Sequence, residues 1–108
     1  MDKLERLSLQ VDELERQYRA ILTKALTDCT SGRWGLFGHN EHHDAYRGPD
    51  ELAELRELAQ GINQLRARIS EGPFPLHEEF EAARGPAGAN APGEPKQAQA
   101  WLERLADA

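Results

Sequence analysis

Cysteine is nearly absent: Cys29 stands alone in 108 residues. No disulfide can therefore form within the chain, and nothing in it asks for an oxidising compartment. Cationic charge is also in short supply, with thirteen Lys and Arg against nineteen Asp and Glu, a net charge of -6. A dedicated binder of nucleic acid or anionic lipid needs clustered positive charge to neutralise phosphates. No apolar run approaches the roughly 20 residues that span a bilayer. The charged start Met1-Asp2-Lys3-Leu4-Glu5-Arg6 lacks the apolar region of a signal peptide. These absences lead us to expect a cytoplasmic protein with neither nucleic acid nor membrane as partner. Strand signals are missing as well; even Trp34–Phe37 is broken by Gly35 and followed by Gly38. Aromatic residues are few, at 6%, so a core must be assembled mainly from aliphatic seams.

Such seams are present. Leu4, Leu7, Val11, Leu14, Tyr18, Ile21 and Ala25 recur at steps of three and four, the a/d pattern of a coiled-coil-like stripe. Asp2 is placed to cap this first helix, with Glu5 three residues on. Gly32 follows Cys29-Thr30-Ser31 as a C-terminal stop, giving a helix over 1–31. Asp2/Arg6, Asp12/Arg16 and Glu15/Arg19 are acid-before-base pairs at i,i+4, each contributing about 0.2–0.5 kcal/mol. A second helix over 49–71 opens at Pro49-Asp50-Glu51 and stops at Gly72-Pro73, with a seam of Leu52, Leu55, Leu58, Ile62, Leu65 and Ile69. Gly61 lies inside it at a cost of about 1 kcal/mol relative to alanine.

The remainder reads as a short helix over 75–84 with Leu76, Phe80 and Ala83 on one stripe. A Gly/Pro/Ala linker over 85–95 and a last helix over 96–107, carrying Ala98, Trp101, Leu102 and Leu105, complete the chain. The fold class that follows is all-α, one helical domain over 1–108: a long antiparallel hairpin, an extended connection, and two short C-terminal helices. Positions summing to about 80 pair layer by layer, Ala25 with Leu55, Leu22 with Leu58, Tyr18 with Ile62, Leu14 or Glu15 with Leu65, and Val11 with Ile69. Leu9, Leu26, Leu36 and Leu52 add apolar surface beyond one seam, which points to a homodimer or a protein partner.

The connection over 32–48 is long for a helical hairpin, where roughly 2–8 residues is usual. Arg33, Trp34, Leu36 and Phe37, set among Gly32, Gly35 and Gly38, are too apolar for a solvated linker. They either plug the end of the hairpin or anchor a partner, since Trp and Arg dominate interface energetics. The glycines lack the Lys-Ser/Thr and the preceding strand of a phosphate loop. His39, His42 and His43 follow, with Glu41 and Asp44 between and beside them. His39 and His43 would share a helical face, and Cys29 lies at the end of the first helix, a set able to hold a transition metal. Neither His-Glu-x-x-His nor its inverted form is present. His77 reads as a surface or helix-end residue rather than a further ligand. The carboxylate pairs Glu78-Glu79 and Glu13/Glu15 fall on solvated faces, where nothing shifts a pKa toward neutrality. The functional expectation is a non-enzymatic interaction module without a resident cofactor, the rival being a metal-dependent activity centred on the histidines.

Overall fold

A computed structural model describes residues 2–30, 50–84 and 94–107. They form α1 (Lys3–Thr30), α2 (Asp50–Arg68), α3 (Pro75–Arg84) and α4 (Glu94–Asp107), and no strand occurs among the described residues. The protein is all-α. The connection over 32–48 lies outside the described residues.

α1 begins where its cap dictates. The Asp2 carboxylate accepts the backbone N–H of Glu5 at 2.8 Å, and the Asp2 carbonyl accepts that of Arg6 at 3.1 Å. The first bond satisfies one of the donors that a helix start orphans, and the second is the first regular turn of the helix. α2 ends at Arg68 rather than running to 71. Glu71 N–H donates to the Arg66 carbonyl at 2.8 Å and Ser70 N–H to that of Ala67 at 3.2 Å, with Ser70 at φ 61°. That pair of bonds is a Schellman motif, with serine in the left-handed position usually given to glycine. The stop signal at Gly72 therefore lies two residues beyond the actual reversal.

α1 and α2 pack antiparallel. Arg66 donates to the Glu15 carboxylate at 3.1 Å across the hairpin, a pair summing to 81, in line with the layer register. Tyr18 and Ile62 are both fully buried in one cluster with Val11, Leu22, Leu26 and Leu55, while Ile69 packs half-buried at its edge. Each large aliphatic covered in this way contributes about 1.5–3 kcal/mol. α4 also lies against α1, so α1 is lined on two sides. Leu26 and Leu52, read as surplus, are both buried in the common core. Leu4, placed in the seam by spacing, is instead 57% exposed, because the cover along α1 reaches only as far as Leu7.

The turn after α2 is tied back by Asn63, whose side-chain oxygen accepts the Phe74 N–H at 2.8 Å. Phe74 is buried, meeting the Tyr18 ring edge-on at 5.0 Å. α3 then presents Phe80 to the Trp101 ring of α4 at 5.9 Å, also edge-on, and the Arg104 guanidinium lies 4.7 Å over Trp101 while pairing with Glu79. The intrahelical ion pairs differ from those expected. Arg16 bonds Glu13 at i,i+3 rather than Asp12, and Glu15 reaches Arg66 rather than Arg19. A cross-helix partner sheltered from water outcompetes an exposed one on the same helix.

Candidate functional site

Of the residues singled out in the sequence, Arg33, Trp34, Leu36, Phe37, His39, His42 and His43 lie outside the described residues. Cys29 is buried in the last turn of α1. Among the described residues no three His, Cys, Asp or Glu side chains gather as a metal site. No described helix is long and apolar enough to cross a membrane.

Two features among the described residues carry chemistry. The first is a polar chain through the three-helix junction. The Tyr18 hydroxyl, on a fully buried residue, lies 2.7 Å from His77 Nδ1. His77 Nε2 lies 3.7 Å from Glu81, whose carboxylate accepts from Arg56 at 2.8 and 3.3 Å. Burial, reinforced by the Glu81 charge, raises the Tyr18 pKa, so the proton stays on the tyrosine. The Glu81 carboxylate beside Nε2 can only accept, which favours the ring proton on Nε2 and leaves Nδ1 to accept from the Tyr18 hydroxyl. Desolvation, the largest effect, holds the His77 pKa below the usual histidine value. Arg56 acts the same way, and Glu81 and Glu78 oppose it. His77 is the helix-end residue that the sequence suggested, in the first turn of α3, but it is half-buried rather than at the surface. Glu15, likewise placed on a solvated face, is largely covered by its pairing with Arg66. The array joins α1, α2 and α3.

The second feature is a groove along the α1–α2 face. At one end Leu9, Gln10, Glu13, Leu14 and Leu65 line a shallow, open concavity of about 490 Å³. The concavity continues past Leu14 into about 340 Å³ lined by Gln17, Ile21, Glu54, Glu57, Leu58 and Gly61. Leu9 is 52% exposed, and Leu14, Ile21, Leu58 and Leu65 are half-covered, packed against the core on one side only. A β-carbon built on Gly61 would meet nothing within 4 Å.

No protein-family model matches the chain, and no curated protein or solved structure matches it. The site must therefore be read from its own geometry. Sequence reasoning missed the groove because its leucines belong to the same seams as the core. Only the mismatch between one stripe and two neighbours separates them. The signal for His77 was its place one residue after Leu76 at the start of a helix, too slight to distinguish cover from exposure.

Proposed function

We propose that the protein is a non-enzymatic helical interaction module that docks a protein partner on the α1–α2 face. The observation that carries this reading is the groove whose floor is Leu14, Ile21, Leu58 and Leu65, with Leu9 exposed at its end. An apolar furrow between two helices is the shape into which a third amphipathic helix lays its own stripe. Single exposed leucines are ordinary; what supports the reading is that Leu9 ends a row of half-covered leucines and isoleucine. The occupant is either a second copy of this chain or another protein. The polar chain of Tyr18, His77, Glu81 and Arg56 serves to hold that face rigid by locking α3 to the hairpin from behind.

Methyl NMR tests the reading. The Leu9, Leu14, Ile21, Leu58 and Leu65 signals are followed as the protein is concentrated and as synthetic amphipathic helices of either charge are added. Shifts confined to those methyls are the expected result. A monomer at all concentrations whose groove methyls respond to no helix would remove the reading.

A further inference from the structure

The groove has a chemical character beyond being apolar. Among the described residues its lining includes Glu13, Glu54 and Glu57 and no lysine or arginine. Glu13 is partly offset by Arg16 on the same helix, whereas Glu54 and Glu57 stand together on the α2 rim beside Leu58. An apolar floor with an acidic rim favours a complementary occupant, apolar along one stripe and basic at its flanks. A second copy would bring the same glutamate-rimmed face, and like charges brought together across an interface oppose docking.

Gly61 supplies an independent observation. Glycine is the poorest helix former after proline, yet it sits in the interior of α2 with open space where its β-carbon would be. Nothing packed against it among the described residues calls for the missing side chain. It forms a notch in the groove lining, where the backbone or a large side chain of an incoming helix can approach closely. From Leu9 to Ile21 the furrow follows about 18 Å of α1, the length of roughly twelve helical residues.

We infer that the groove receives a cationic amphipathic helix from another protein, its apolar stripe bedded on Leu14, Ile21, Leu58 and Leu65, its closest approach at Gly61, and its lysines or arginines facing Glu54 and Glu57. This inference rests on the docking function proposed above and specifies the class of partner.

The test uses the full chain and a synthetic Leu/Lys amphipathic helix of about 18 residues, with a Leu/Glu helix of identical leucine spacing as control. The Leu/Lys helix should bind at least about tenfold more tightly, a difference of about 1.4 kcal/mol, and shift the Leu14, Ile21 and Leu58 methyls. Paired Glu54→Gln and Glu57→Gln should weaken it severalfold. Glu78→Gln with Glu103→Gln, which changes net charge equally on α3 and α4, should not. Gly61→Leu should block docking without lowering the melting temperature. Equal binding of both helices, or equal effects of the two glutamine pairs, overturns the cationic class while leaving docking intact. A dimer that Leu14→Glu dissociates makes a second copy the occupant, and groove methyls that shift on Trp34→Ala but not on peptide addition make it the chain's own 31–49 segment; either overturns the inference. Groove methyls silent to every helix, in a protein that is monomeric throughout, remove the inference and the docking function together.

Discussion

Replacing Tyr18 with phenylalanine deletes one oxygen from the core and leaves the ring and its edge contacts with Phe74 and His77 in place. The loss falls on the 2.7 Å bond to His77 Nδ1, which then has no donor at a half-buried position. Leaving a buried acceptor unpaired costs about 1–3 kcal/mol, and each kcal/mol lowers the melting temperature of a domain near this size by about 4–8 °C. Denaturant unfolding near neutral pH should therefore show Tyr18→Phe destabilised by that amount. Acid supplies the complementary half of the test. Because desolvation depresses the folded-state pKa of His77, the unfolded chain binds its proton first as pH falls. The stability contributed by neutral His77 is complete above its unfolded value of about 6.5. It is lost progressively as pH drops through the lower native value. His77→Asn keeps an acceptor near the Nδ1 position but cannot titrate, so its stability should fall less than the wild type's between about pH 7 and 5. A Tyr18→Phe protein within about 0.5 kcal/mol of wild type, or a His77→Asn protein with the wild-type acid slope, would refute the reasoning.

Three further outcomes follow from the helix geometry. Gly61→Ala should stabilise the isolated protein by about 0.4–1 kcal/mol, since the added methyl meets no atom within 4 Å; thermal unfolding reads this directly. Ser70→Gly should stabilise it by up to about 1 kcal/mol by relieving the left-handed strain at φ 61°, and an unfolding midpoint at or below wild type would count against that Schellman geometry. Arg66→Met should destabilise by about 1.5–3 kcal/mol, because it strands the covered Glu15 carboxylate and removes the 2.6 Å bond to the Gly72 carbonyl. Adding Glu15→Gln should recover part of that loss in a double-mutant cycle.

The helices and the hairpin were legible because their signals are local and redundant. Apolar spacing, the Asp2 cap and the layer register each arrive independently at the same arrangement, and the Glu15–Arg66 pair is consistent with it. What the sequence concealed depends on which second element covers a helix. Leu14 stands in the periodic seam and Leu26 outside it, yet the packing buries Leu26 completely and Leu14 only halfway. Ser70 occupies a backbone conformation that composition assigns to Gly72, since the capping bonds from Ser70 and Glu71 offset the strain. His77 gained its partner from a residue on another helix, fifty-nine positions away, which no spacing rule within α3 reveals. The groove was the hardest to see, because an interior glycine and half-covered leucines become a site only once two helices lie side by side.

The lining of α1 on two sides has a consequence for synthesis. α1 leaves the ribosome before the other described helices, and one of its neighbours, α4, begins only at Glu94. At roughly 5–20 residues per second, the chain between Thr30 and Glu94 takes several seconds to appear. Throughout that interval the α4-facing side of α1 meets water or whatever else is nearby. The nascent chain is therefore most vulnerable to mispairing with other apolar segments before α4 arrives, and a translational pause within 85–93 would prolong that exposure.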